Sequence, residues 1–419
     1  MNDILAGIVR DAHTIIRESI ESALPDTAVV HALESEELGG RVIVIAIGKA
    51  AWRMANTAVS LLGDRLHKGL VITKYGHAEA GIDGFEIIEA GHPIPDENSI
   101  RAARRAVELV SGLSEMDDVL LLISGGGSSL FELPLPGVTL EDARDITQQL
   151  MICGADISEI NTIRKRLSAV KAGRFGSMCA PARVLSIILS DVLGDAPDVI
   201  ASGPAVPDLS TSGDALAILS KYELNAPGHV REALRHETPK SLANARAVIA
   251  GNVAHLCEAA SSTAARLGYS VLTLTTSLDC EAREAGAFFA AIAREIIRTG
   301  RPMKTPCAIL LGGETVVHVR GTGKGGRNQE LALAAAKGIE GLPNTLIFSV
   351  GSDGTDGPTD AGGGMVTGDF VSECRAAGFS IDDYLRNNDS YTLLNALGGL
   401  IKTGPTGTNV NDLAGILIR

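Results

Sequence analysis

Ser124-Gly125-Gly126-Gly127-Ser128-Ser129 follows directly on the apolar run Val119–Ile123. A buried strand ending in glycines and hydroxyls presents bare backbone N–H groups and Oγ donors at a sheet edge. A phosphate tail needs such a surface, because larger side chains would hold it away from the backbone. One glycine run alone reads more plainly as a tight turn. Several other charged loops after apolar strands tip the reading toward an anion-handling enzyme. Gly48-Lys49-Ala50-Ala51 follows Val42–Ile47 and carries a lysine to the crevice where open α/β sheets bind ligands. It is not a Walker A loop: Ile43 stands at the first glycine position and Ala50 replaces the hydroxyl.

Leu189-Ser190-Asp191-Val192 places a carboxylate at another strand end, where Mg²⁺ is commonly held by one or two carboxylates and substrate phosphate. Asp191 lies nearest the strand and is the preferred metal ligand; Asp195 and Asp198 read equally as helix caps. The segment Asn161–Gly173 is basic within an acidic protein, and Arg164, Ser168 and Lys171 share a helix face. It reads as a solvated face or as an anion site. Gly321–Gly326 fits the dinucleotide formula Gly-x-Gly-x-x-Gly. The strand expected before it belongs to a hairpin, however, and the next acidic candidate, Asp353, lies too far along for a Rossmann site. Lys324 and Arg327 in that loop look suited to gripping charge, and an arginine there can hold phosphoryl oxygens bidentately. Ser352–Gly364 carries Asp353, Asp356 and Asp360 at spacings unlike an EF-hand. It suits Mg²⁺ or a sugar-like hydroxyl, or else a turn closed by Asx bonds.

These loops require strands to present them. Continuous apolar runs at 42–47, 70–73, 85–88, 119–123, 184–189, 247–250, 271–274, 308–311, 316–319 and 346–350 predict strands covered on both faces. Helical patterns fall near 1–20, 50–63, 97–112, 139–151, 156–172, 253–267, 281–299 and 328–337. Thr139-Leu140-Glu141-Asp142 opens one of them as a cap with an acidic first turn. Strands alternating with helices mean α/β with mainly parallel sheet. Gly312-Gly313-Glu314 between two apolar runs predicts a hairpin and hence a mixed sheet toward the C-terminus. The 419 residues exceed one ordinary core, so two domains are expected, 1–240 and 241–419, with 246–298 assignable to either.

A net charge of −13 with only 3% aromatic residues argues against a nucleic-acid groove, which needs a basic track and stacking platforms. No apolar run approaches the ~20 residues of a membrane span, and the N-terminal segment is no signal peptide. Six scattered cysteines without a Cys-x-x-Cys pair predict reduced thiols and a cytoplasmic protein. The nine histidines lack zinc-site spacing. The sequence does not give the oligomeric state, and a homodimer is compatible with it.

Taken in order, Ile123–Ser129, Asn161–Lys165, Leu189–Val192, Gly203-Pro204, Gly312–Glu314, Gly325–Glu330 and Ser352–Gly357 resemble the glycerate 2-kinase family. The resemblance spans nearly the whole chain. The C-terminal part of that family is called the MOFRL domain, here about 305–415, and some members carry the label hydroxypyruvate reductase. The resemblance implies a Rossmann-like, mainly parallel three-layer domain, a second α/β domain with a mixed sheet, and an active site in the cleft between them. It implies ATP- and Mg²⁺-dependent phosphorylation of D-glycerate to 2-phosphoglycerate, with Lys49 and Arg327 as the catalytic pair. On that reading Ser124, Gly125, Gly126, Gly127, Ser128 and Ser129 cradle ATP, and Asp191 holds the metal. Lys49 and Arg327 also meet the substrate, while Asn252 and Asp353 are candidates for its hydroxyls. An NAD(P)H-dependent hydroxypyruvate reductase is the alternative, resting on the glycines of 321–326 alone.

Overall fold

The computed structural model describes residues 3–419, and the chain divides into two compact units. One runs from Ala28 to Ala250; the other joins residues 3–27 to Gly251–Arg419. The division therefore falls at 250 rather than 240, and the N-terminal helix Asp3–Ser22 goes with the C-terminal half. The helix is placed by an apolar stripe (Leu5, Ile8, Ala12, Ile15, Ile16) and by polar ties. Asp11 accepts from the Tyr269 hydroxyl at 2.7 Å, and Glu18 from Thr263 Oγ1 at 2.9 Å. The segment 246–298 is shared: its first strand closes the sheet of the first unit and the rest belongs to the second. Residues 1 and 2 of the expected N-terminal helix lie outside the described residues.

The first unit is built on β1 (Arg41–Ile47), β2 (Leu66–Lys74), β3 (Phe85–Ala90), β4 (Asp117–Ile123), β5 (Arg183–Leu189) and β6 (Ala245–Gly251), in the order β3-β2-β1-β4-β5-β6. The registers from β3 through β5 are all parallel. Continuous apolar strands follow from having a core on each face. Ile43, Ile45 and Ile47 enter one cluster with Ala102, Ala106 and Phe175. Val42, Val44 and Ala46 enter the other, with Met54, Ala55 and Ala58 of helix Ala51–Leu62. Each fully buried isoleucine or valine contributes roughly 1.5–3 kcal/mol. Four helices between 140 and 235 form a separate core around Ile146, Ile163, Leu219 and Leu234. Helix Leu140–Ile152 starts at Thr139 with the reciprocal capping bonds to Asp142 that its sequence predicts.

The helix expected over 156–172 stops at Leu167, and Ser168 is extended. Ala169 N–H donates instead to Leu133 O at 2.6 Å.

The second unit contains β7 (Ser270–Leu278), β8 (Cys307–Gly313), β9 (Thr345–Gly351), β10 (Gly363–Thr367), β11 (Leu400–Ile401) and β12 (Asp412–Ile418), in the order β11-β10-β9-β12-β8-β7. Only β7–β8 is parallel, so the sheet is mixed as expected, although the hairpin expected at Gly312–Glu314 does not form. Val316 forms a single bridge to Glu281, and Val316 and Val319 are 49% and 75% exposed. The neighbour of β8 is β12, the chain's last strand, which lies antiparallel between β8 and β9.

Among the described residues no helix is long and apolar enough to cross a membrane. The six cysteines are unpaired.

Candidate active site

In the first unit the strand order reverses between β1 and β4, which opens a crevice at the carboxyl ends of those strands. The Lys49 loop follows β1 and the glycine loop follows β4, so the topology alone brings both to the crevice. Short bonds stitch them together. Lys49 N–H donates to Gly125 O at 2.9 Å, and Ser124 N–H to Ile47 O at 2.9 Å. Ala50 N–H donates to Ser124 Oγ at 3.0 Å. Gly48 has φ 123°, and a Cβ there would lie 2.2 Å from Ser124 Oγ, so only glycine permits this approach.

The hydroxyls of this loop face inward. Ser129 Oγ donates to Gly126 O at 3.1 Å, and Ser128 Oγ pairs with Ser202 Oγ at 3.0 Å. The backbone is what stays open: the amides of Gly125, Gly126, Gly127 and Ser128 meet no acceptor among the described residues. Side chains lean over this bare stretch. A Cβ on Gly125 would sit 2.3 Å from Asp191 Oδ2. One on Gly126, whose φ is 87°, would sit 2.8 Å from His92 Cδ2 and 3.4 Å from Lys49 Cε. Lys49, half-buried, has no ion-pair or hydrogen-bond partner for its ammonium among the described residues. Burial pushes the His92 imidazole below its ordinary pKa, and the charges of Lys49, Lys74 and His77 push the same way.

His92 is the residue of this site that sequence reasoning passes over. Its signal is Gly91-His92-Pro93 just beyond β3, a loop at the same sheet edge.

Lys165, Arg166, Lys171 and the neighbouring Arg174 are held inside the protein rather than on a solvated face. Lys165 pairs with Asp198 at 2.8 Å, and buried Lys171 pairs with Glu132. Arg166, fully buried, reaches Glu237 at 3.4 Å and Ser210 O at 2.5 Å. Arg174 serves backbone carbonyls, including Ser168 O at 2.7 Å. These cations are consumed in fastening the helical lobe.

In the second unit Arg327 opens helix Arg327–Ala336. Its Nε and Nη2 grip Asp412 at 2.6 and 2.9 Å, and Nη1 reaches Glu314 at 2.9 Å. Asp356 is buried beneath the same helix start. It accepts from the amides of Asn328 at 3.1 Å and Gln329 at 2.9 Å, and from Gln329 Nε2 at 2.9 Å. Burial outweighs these donors and pushes the Asp356 carboxyl up to about 6.

The Gly321–Lys324 part of the second glycine loop is closed by its own chain. Asn388 Oδ1 accepts from Arg320 and Gly321 N–H at 2.8 and 3.0 Å, Asn387 Oδ1 from Thr322 N–H at 3.1 Å, and Asp389 Oδ1 from Lys324 N–H at 3.0 Å. A Cβ on Gly321 would lie 2.3 Å from Asn387 O. Lys324 Nζ stacks 4.4 Å over the Tyr391 ring. Among the described residues no strand precedes the loop, and its amides from Arg320 to Lys324 are all taken, which is unlike a dinucleotide fingerprint. Asp353 Oδ1 accepts from Thr355 N–H at 2.9 Å, the Asx bond of a local turn. Asn252 is buried and caps helix Val253–Arg266 through His255 N–H at 2.8 Å. Among the described residues no group of three or more His, Cys, Asp or Glu side chains is placed to hold a metal.

A switch-point crevice floored by open amides, with a lysine, a carboxylate and an imidazole over it, makes this an α/β protein with a candidate anion site at the carboxyl edge of its parallel sheet. The chain belongs to the glycerate 2-kinase family. It matches the domain of unknown function DUF4147 over residues 11–235 and the MOFRL family over residues 307–412. It is 55% identical to the D-glycerate 2-kinase of Thermotoga maritima, over 95% of each chain. It is 41% identical to the glycerate 2-kinase of Pyrococcus horikoshii, over 95% of this chain and 94% of that one. The crystal structure of glycerate kinase from Thermotoga maritima superposes with a TM-score of 0.97 at 54% identity, covering 99% of this chain and 100% of that one.

Proposed function

We propose that the protein is a glycerate 2-kinase that transfers the γ-phosphoryl group of ATP to the 2-hydroxyl of D-glycerate, giving 2-phosphoglycerate. The observation that carries this reading is the set of open amides from Gly125 to Ser128 beside the unpartnered ammonium of Lys49. Phosphoryl transfer asks a protein mainly to position two reactants and to neutralise charge on the moving group. The amides bind phosphate oxygens of ATP, and Lys49 compensates the charge that spreads over the transferred group.

Asp191, whose Oδ2 packs closely on Gly125 of the glycine loop, is a carboxylate of the kind that holds a small hard cation together with phosphate oxygens. Mg²⁺ bound there supplies further neutralisation of the phosphates, with Asp191 as its protein ligand.

Arg327 is the second catalytic cation. Asp412 holds its guanidinium bidentately and fixes its direction, while the half-exposed Glu314 is the partner that a substrate anion can replace. Asn252 and Asp353 are assigned to the substrate hydroxyls, alongside the local backbone bonds that each makes. The unpaired cysteines support a cytoplasmic enzyme.

The test is incubation with ATP, Mg²⁺ and D-glycerate, with products identified by phosphorus NMR and an NADH–hydroxypyruvate assay run in parallel. 2-Phosphoglycerate with no NADH oxidation is expected. NADH oxidation without phosphoglycerate would overturn the proposal.

A further inference from the structure

We infer that His92 is the general base of this reaction, accepting the proton of the attacking hydroxyl at Nε2; the inference rests on the phosphoryl-transfer reading above. Four observations carry it. The first is position: His92 lies just beyond β3, at the sheet edge that also presents Lys49 and the glycine loop. The second is contact. A Cβ on Gly126 would lie 2.9 Å from His92 Nε2, so the ring edge bearing that nitrogen rests on the open amide stretch, in space that glycine leaves vacant.

The third observation is that neither ring nitrogen has a hydrogen-bond partner among the described residues. A histidine kept for packing alone normally satisfies at least one ring nitrogen when it is part-buried. Asp96 accepts from Ser99 N–H at 3.0 Å and from the Tyr75 hydroxyl at 2.7 Å, which fastens the segment just after His92.

The fourth observation is electrostatic. The charged or titratable groups acting on the ring are Lys49, Lys74 and His77, all cationic or neutral. Asp191 leans over Gly125 instead. With no carboxylate to stabilise an imidazolium, the ring stays neutral near pH 7, which is the form that accepts a proton.

The step balances without any further reactant. The 2-hydroxyl oxygen of D-glycerate forms a bond to the γ-phosphorus. The bond from that phosphorus to the β,γ-bridging oxygen breaks, and its electron pair leaves on ADP. The hydroxyl proton passes to Nε2, and the imidazolium returns it to solvent after product leaves. Because the transition state is loose, proton transfer comes late, and the benefit belongs at the lower end of general-base catalysis, about 10²-fold.

The experiment compares the wild-type enzyme with His92→Gln and His92→Asn in kcat, in KM for each substrate, and in the pH dependence of kcat/KM. The wild-type profile should fall on the acid side through one group whose midpoint matches the His92 imidazole titration followed by NMR in the unmodified protein. Both variants should lose about 10²-fold in kcat, lose that acid limb, and keep KM for ATP within about threefold. Thermal melting verifies that they fold. Near-normal kcat with the acid limb retained overturns the role of His92 while leaving the kinase reading intact. An acid limb whose midpoint differs from the His92 titration also overturns it, even if the variants do not fold. A wild-type enzyme that makes no 2-phosphoglycerate overturns both readings.

Discussion

Two glycine loops in this chain look alike in sequence and do opposite things in the structure. Among the described residues Ser124–Ser129 leaves the amides of Gly125 to Ser128 without an acceptor and spends its hydroxyls on Ala50, Ser202 and its own turn. Arg320–Lys324 has its amides taken by Asn387, Asn388 and Asp389, and its glycines exist so that this second segment can pack against it. Glycines of the first loop make room for the side chains of Asp191, His92 and Lys49, and those of the second make room for backbone. A glycine-rich loop is therefore a ligand site only when its N–H groups have nowhere else to go. By that criterion Arg320–Lys324 is closed, which counts against the reductase reading.

Mutations can break or sharpen the contrast. Lys49→Ala removes a charge with no protein partner, so kcat should fall by about 10²-fold or more while the melting temperature stays put. Normal turnover would remove Lys49 from the site. Arg327→Ala should lower kcat similarly but also destabilise, because Asp412 is left buried without its cation, at a cost of about 3–5 kcal/mol. Equal melting of the two variants would contradict the described pairing.

Gly125→Ala drives a methyl against Asp191 and should lose activity with a near-normal melting temperature. Gly321→Ala drives one against the Asn387 carbonyl and should do the reverse: folded enzyme becomes scarcer, yet turns over normally. Asn388→Ala strips two backbone amides and Glu330 of a partner. It should cost about 2–3 kcal/mol in denaturant unfolding with kcat per folded molecule unchanged.

The smallest effect is a titration. The Asp356 carboxyl should titrate near 6 by carbon NMR. Its folded pKa lies above its unfolded one, so its contribution to stability is full at acid pH and is lost as pH rises from about 4 through 6. A midpoint near 4 would show that the helix-start donors outweigh burial.

Much of this was legible in the sequence because strands buried on both faces announce themselves as apolar runs. Val42–Ile47 and Val119–Ile123 are such runs, and the loops that follow them meet at one crevice. The order that makes them neighbours is set by long-range pairing, which no local pattern encodes. Val316–Val319 shows the limit from the other side: a β-branched run predicts a strand, but its residues lie exposed because Asp412–Ile418, from the far end of the chain, takes the place beside β8. The same distance hid the partner of Arg327, since Asp412 lies 85 residues away. The cations of 165–174 were visible as a cluster, whereas their acids (buried Glu132 and Asp208, part-exposed Asp198) were scattered through other segments. His92 escaped notice because a single histidine in a loop has no spacing to recognise.

The central claim, that Gly125–Ser128 receives the phosphates and Arg320–Lys324 does not, is tested most directly by amide hydrogen exchange with and without Mg²⁺ and a non-hydrolysable ATP analogue. The account predicts fast exchange of the Gly125–Ser128 amides in the free protein and strong protection on adding nucleotide, with Arg320–Lys324 slow in both states. Protection that appears at Arg320–Lys324, with Gly125–Ser128 unchanged, would contradict it.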